Sequence, residues 1–293
     1  MNVRFLLGAN STNLRLALAE SIKNGRHTGT IEAEYGPEDV VQGNSFTLAH
    51  HGLRANQPAP TTYPNGFARI GGKPFEGDIG LSHVDFDTEV GAAAVLEKKP
   101  EDDIFWKLVE LYDVKGLHKV PQSEPRENDL RRLYAYLAWD SKNKMFANRD
   151  GSVSIVTTEI EKGVDVIGEI VANNDTLLRA GDDYRQAQAK LNAESFRDFR
   201  SGVIFRESDT DVNHLYLMPN GEEALAVVTF KPGKQKITLS FADLPKGKNA
   251  IDILTELFPG AGGHAQIAGS PRDQKMTYDN AIRVFANTIE SIK

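Results

Sequence analysis

Between Val3 and Trp139, short apolar runs alternate with stretches of helical period, and that alternation is the strongest constraint on what this chain can fold into. Val3 to Gly8 is predicted to be a buried strand, and Thr12 to Lys23 an amphipathic helix with Leu14, Leu16, Leu18 and Ile22 partly on one face. Thr30 to Glu34 and Ser45 to Ala49 read as short β-type runs, and Ile79 to His83 as a further strand. Helices are expected from about Thr88, over Asp102 to Tyr112, and over Leu130 to Trp139. Strands separated by helices can pair in parallel, so the expected class is α/β, with a mainly parallel sheet flanked by helices. Ligands of such sheets collect beyond the carboxyl ends of the strands.

Residues 53–78 interrupt the pattern with a long irregular loop rich in Pro, Gly and Asn, and loops of that length are usually functional or mobile. Past Val164 the reading changes. One or two helices, polar in their later part, run to about Ala193. Gly202 to Phe205, Val212 to Met218, Ala224 to Phe230 and Lys236 to Phe241 are β-type, and Ala250 to Leu257 and Thr277 to Ile292 helical. The expected organisation is a metal-binding domain over 1–170, a helical linker over 171–195, and a smaller α+β substrate-binding domain over 196–293, with an active cleft between the two domains.

The 293 residues suffice for two cores, and 40% hydrophobic with 26% charged residues describes a soluble globular chain. A formal charge of −7 argues against a track for long nucleic acid, but leaves room for a short substrate held by a few local cations. With no cysteine, disulfides and thiolate metal sites are excluded, so any metal must be held by His, Asp and Glu. No apolar run is long enough to span a bilayer, and the first residues lack the features of an export signal, so a cytoplasmic location is expected.

Four groups of residues bear chemistry. His83, Asp85 and Asp87 follow a strand, where both carboxylates can reach one hard cation; the alternative is that the aspartates cap the next helix. His50-His51 closes another strand and can offer one imidazole to a metal and one to a substrate oxygen, or be an exposed loop pair. Asp113 and His118 stand where a helix ends and can complete a metal site, although helix termination alone explains Gly116 between them. Gly262-Gly263-His264 through Gly269-Ser270-Pro271-Arg272 joins glycines, an imidazole and a guanidinium in a segment that reads as too flexible for a strand interior. Its exposed amides and cation suit a phosphate-bearing ligand. Arg206 and His214 are expected at the surface, and Asp209-Thr210-Asp211 in a hairpin turn.

Two of these segments carry a resemblance. Gly262-Gly263-His264 followed by Ala268-Gly269 resembles the signature of the DHH-associated C-terminal domain. Ser82 to Asp87, running into Gly91-Ala92-Ala93-Ala94, resembles the first motif of the DHH phosphoesterase superfamily, whose relatives include exopolyphosphatase-like and oligonucleotide phosphoesterases. The name-giving Asp-His-His triplet has no direct counterpart, because His50-His51 precedes the acidic pair and follows Ala49. The resemblance implies a two-domain, metal-dependent phosphoesterase using Mn²⁺ or Mg²⁺ on a small phosphorylated molecule or short oligonucleotide. It matches Asp85 and Asp87 to the acidic pair, His83 to the preceding histidine, and Gly262, Gly263 and His264 to the substrate loop, with Arg272 a phosphate partner. The expected metal ligands are His50, His51, His83, Asp85, Asp87, Asp113 and His118, with His51, Asp85 and Asp87 catalytic. The alternatives are a catalytically silent nucleotide- or nucleic-acid-binding protein of the same fold and, disfavoured by the lack of cysteine, a relative of aminoacyl-tRNA editing domains. Monomer and homodimer both remain open.

Overall fold

The computed structural model describes residues 3–33, 43–50, 57–121, 127–218 and 220–292. The chain divides into two compact units, Met1–Tyr184 and Arg185–Lys293. Both are mixed α/β, each with its own sheet.

In the first unit β1 (Val3–Leu7), β2 (His27–Ile31), β3 (Asn44–Leu48) and β4 (Gly77–Leu81) pair in parallel in the order β3-β2-β4-β1, and the short β5 (Ser154–Ile155) adds antiparallel to β1. Every residue of β4 is buried, as a central parallel strand covered on both faces must be. One face is covered by α1 (Ser11–Lys23), whose Leu14 and Leu18 pack with Leu6 and Ala33. The other carries α2 (Phe86–Val95) and α5 (Thr157–Val171), packed around Phe5, Ile31, Ile79 and Leu81. Outside these lies a layer built from α3 (Asp103–Lys115), α4 (Glu127–Asn143) and the start of α6 (Asp175–Ser195), centred on Phe86, Phe105, Leu133 and Tyr136.

Helix α2 carries the small run Gly91-Ala92-Ala93-Ala94, and all ten of its residues, Asp87, Thr88 and Glu89 included, are buried. A Cβ at Gly91 would stand 2.9 Å from Pro60 Cβ and 3.3 Å from Ile31 Cγ2, so the helix reaches the sheet only because that side chain is missing. Pro60 belongs to a short 3-10 turn, Pro60–Thr62, within the region expected to be irregular, where Ala59, Ala68 and Phe75 are also buried.

The second unit starts within α6 and has the sheet order β10-β11-β9-β8-β7-β6. Its strands are β6 (Phe196–Arg200), β7 (Val203–Glu207), β8 (Ala226–Lys231), β9 (Lys236–Phe241), β10 (Gly262–Gly263) and β11 (Ile267–Gly269). All pairings are antiparallel except β7 with β8. Helices α7 (Ala250–Leu257) and α8 (Tyr278–Ser291) share one core with the sheet, and both begin in reciprocal capping boxes, Asn249 with Asp252 and Thr277 with Asn280.

Three expectations are corrected here. Residues 212–218 form no strand beyond the isolated bridge of Leu217 to Glu223; the Leu215 and Leu217 carbonyls accept instead from Arg206. Arg206, expected at the surface, is fully buried, and donates to the Asn192, Leu215 and Leu217 carbonyls, to Asn192 Oδ1 and to Ser195 Oγ. The segment 262–269, read as too flexible for a strand, is a hairpin pinned to β9. Among the described residues no helix is long and apolar enough to cross a membrane.

Candidate metal centre

Three neighbouring parallel strands deliver polar side chains just past their carboxyl ends. After β2 the chain turns at Glu32, whose φ of +50° lies in the left-handed region and whose side chain is buried. After β3 comes His50, also buried. After β4 come Ser82, His83 and Asp85, and Asp85 caps α2 by accepting from Thr88 N at 3.2 Å and Thr88 Oγ1 at 2.6 Å. The capping alternative is therefore realised, without removing Asp85 from the cluster. Asp87 follows in the first turn of α2 and is 0% exposed. Asp113 arrives from within the last turn of α3, before the helix ends rather than after it.

These residues form two groups that share Asp87. Glu32, His50 and Asp87 each offer one ligand atom within 4.8 Å of the others, and Asp85, Asp87 and Asp113 do the same. His50 Nε2 lies 2.9 Å from Asp87 Oδ2, 3.1 Å from Asp113 Oδ2 and 4.0 Å from Glu32 Oε1. His83 is in neither group. Its Nε2 meets Asp85 Oδ2 at 3.0 Å, its Nδ1 meets Ser82 Oγ at 2.8 Å, and the Ser82 hydroxyl also donates to the Glu32 carbonyl.

The electrostatics are those of an anionic cage. Burial and the adjacent Asp85 charge push Asp87 well above the usual carboxylate range, against the lowering effect of the His50 hydrogen bond. Asp85 moves the other way: burial would raise it, but hydrogen bonds from His83, Asp87 and Thr88 bring it down. Burial would depress His50, yet its contacts with Asp113 and Asp87 prevail and lift it to about 10. His83 is raised chiefly by its hydrogen bond to Asp85. Asp87 Oδ1 is buried and has no hydrogen-bond partner among the described residues. A buried, unpaired carboxylate oxygen costs several kcal/mol, on the order of an unmade charged hydrogen bond, unless a proton or a cation takes it up. The donor set of four carboxylates and one imidazole could hold a hard divalent ion.

Among the expected metal residues, the structure thus brings His50, Asp85, Asp87 and Asp113 together and sets His83 beside them. His118 lies on the 3-10 turn Leu117–Lys119 and joins neither group, because Gly116 leads the chain off the end of α3. His51 lies outside the described residues. Glu32 escaped the sequence reading, since one carboxylate within a β-type run looks like a solvated position, and the preceding Thr28-Gly29-Thr30-Ile31 does not mark it as a ligand.

The second unit presents the glycine hairpin. Gly262 pairs with Gly269 and Gly263 with Ala268. Gly263 has φ of +145°, and a Cβ there would sit 2.4 Å from the Ile267 carbonyl oxygen and 2.5 Å from Ala268 Cα, so the hairpin itself requires glycine. Gly262 differs: a Cβ would meet nothing within 4 Å, so no packing within the chain requires glycine there. His264 donates its amide to the Ile267 carbonyl at 2.7 Å and is exposed. The His264 imidazole and the exposed Arg272 guanidinium have no hydrogen-bond or ion-pair partner among the described residues.

No known family profile matches the chain, and no curated protein does. Among solved structures the chain is similar to one described as "pGpG-specific phosphodiesterase - PggH from Vibrio cholrae", at 13% sequence identity and a TM-score of 0.46, covering 99% of this chain and 98% of that one.

Proposed function

We propose that this chain is a metal-dependent phosphoesterase that hydrolyses a phosphoester or phosphoanhydride of a small phosphorylated molecule or short oligonucleotide. The observation that carries the proposal is Asp87, a fully buried carboxylate shared by two ligand groups and left with one oxygen unpartnered. Such an arrangement must hold a proton or a cation, and buried carboxylates with shifted pKa values concentrate at functional sites. The resemblance of segments 82–94 and 262–272 to the DHH superfamily supports the same reading.

Glu32, His50, Asp85, Asp87 and Asp113 would hold Mn²⁺ or Mg²⁺. A bound cation of this kind supplies Lewis acidity toward a phosphoryl oxygen and lowers the pKa of water. The remaining work belongs to the chain's own residues. Asp85, fixed by its cap to α2, holds the His83 ring through Nε2, and Ser82 holds it through Nδ1. His83 is half exposed, and its Nε2 proton, held by Asp85 in the resting ring, is the one it would pass to a leaving-group oxygen. In the second unit the bare backbone of Gly262, with His264 and Arg272, would bind phosphate oxygens. The net charge of −7 suits a small substrate better than a long nucleic acid.

The test is Mn²⁺-dependent hydrolysis of a 5′-phosphorylated dinucleotide by the full chain. Asp87→Asn and Asp113→Asn should each lower turnover by about a thousandfold, the scale on which a key electrostatic group acts, with unchanged circular dichroism. Turnover retained in both variants refutes the assignment. Tight nucleotide binding with no Mn²⁺ requirement and no hydrolysis establishes the silent binder instead.

A further inference from the structure

The turn that carries Arg272 is assembled around a single ammonium group. Lys236, the first residue of β9, is half-buried, and its Nζ donates to the carbonyls of Pro271 at 2.8 Å, Arg272 at 2.9 Å and Gln274 at 2.7 Å. An ammonium has three protons and no acceptor, so these three contacts use its full capacity. No carboxylate pairs with it among the described residues.

Residues 271–275 belong to no helix or strand, so their carbonyls have no ladder to join. The stem of the turn is closed on both sides by β9 and its approach. Ser270 N donates to the Ile237 carbonyl at 2.9 Å and Ser270 Oγ accepts from Ile237 N at 3.1 Å, while Met276 N donates to the Gln235 carbonyl at 2.9 Å. Ser270, Pro271 and Met276 are buried, whereas Arg272 through Lys275 face solvent. The result is a small lobe tied at its neck, with a positive charge at its hub and a guanidinium at its rim.

We propose that Lys236 is a positioning residue for phosphate recognition: by drawing three carbonyls inward it fixes the 271–275 turn so that the Arg272 guanidinium is held outward for an anion. The inference rests on the phosphoesterase reading for the identity of that anion, a phosphate-bearing substrate. Lys236 does not touch the substrate; it acts through Arg272.

The experiment is a double-mutant cycle on the full chain with Mn²⁺ and a 5′-phosphorylated dinucleotide. Arg272→Ala and Lys236→Ala should each raise KM by about tenfold with kcat held, the size expected of one charge-assisted contact. The double variant should be no worse than Arg272→Ala alone, and n-propylammonium, the part of the side chain removed, should restore Lys236→Ala but not the double variant. Additive losses in the double variant, or a loss of kcat in place of KM, overturn the proposal. If the unaltered chain shows no turnover, the phosphoesterase reading falls by itself. The same cycle is then read as dissociation constants for the dinucleotide without metal: coincident losses still support the role of Lys236 and additive losses overturn it. Absence of binding to the unaltered chain overturns both.

Discussion

Asp78 and Asp87 stand at opposite ends of the same strand, Asp78 near the start of β4 and Asp87 beyond its carboxyl end, and both are 0% exposed. Asp78 is surrounded by donors: Arg4 Nε at 2.9 Å, Arg26 Nε at 2.9 Å and Ser21 Oγ at 2.5 Å. Burial would raise its pKa, but those three partners outweigh burial and bring it to about 2. Asp87 has one histidine, three carboxylate neighbours and a bare oxygen, and its pKa moves upward. Burial is therefore uninformative about role in this sheet. The sign of the neighbours separates a carboxylate that closes the fold from one that waits for a ligand.

The contrast can be broken most directly through stability. Asp78→Asn should cost about 2–3 kcal/mol, somewhat less than a fully dry pair because Arg4 and Arg26 keep partial contact with water. Asp87→Asn should leave the metal-free protein as stable as before or slightly more so, since it relieves repulsion. Urea midpoints of both variants decide this, and equal destabilisation would end the distinction.

Next in size is the response to metal. Mn²⁺ at about a hundred times its dissociation constant should add about 2.7 kcal/mol of stability. Asp87→Asn should lose that gain and Asp78→Asn should keep it, as thermal melts with and without a chelator will show.

The smallest effect is the pH dependence, and it has opposite signs at the two ends of β4. The folded pKa of Asp78 is depressed, so its contribution is present above the unfolded value of about 4 and disappears as pH falls toward about 2. The folded pKa of Asp87 is raised, so its contribution is full below the unfolded value and disappears as pH rises toward the folded one. Stability profiles of the metal-free protein should lose their acid limb in Asp78→Asn and their decline with rising pH in Asp87→Asn. A profile that both variants leave unchanged contradicts this assignment.

How far these features were legible in the sequence depends on whether local pattern decided them. β9 and α7 match their expected bounds residue for residue, because alternation in one and capping in the other leave no competing structure. The parallel sheet followed from the strand–helix alternation, and with it the carboxyl-end location of His50, Asp85 and Asp87. Glu32 was hidden because its meaning comes from β3 and β4, its partners across the sheet, rather than from its own neighbours in sequence. The β10–β11 hairpin was hidden for a related reason: glycine has no strand preference of its own, and the pairing is imposed by β9. Residues 212–218 misled in the other direction. Their apolar alternation looks like a strand, but the Leu215 and Leu217 carbonyls are claimed by Arg206, and a buried guanidinium with neutral partners leaves no trace in charge patterning.

The close fit of α2 has a consequence for variation. With all ten residues buried and Gly91 seated against Pro60 and Ile31, the helix offers no position where bulk can be added cheaply. Mutational libraries made to test the proposed function should therefore leave residues 86–95 alone and diversify exposed positions such as His264 and Arg272, where altered side chains meet solvent rather than the frame that holds the aspartates.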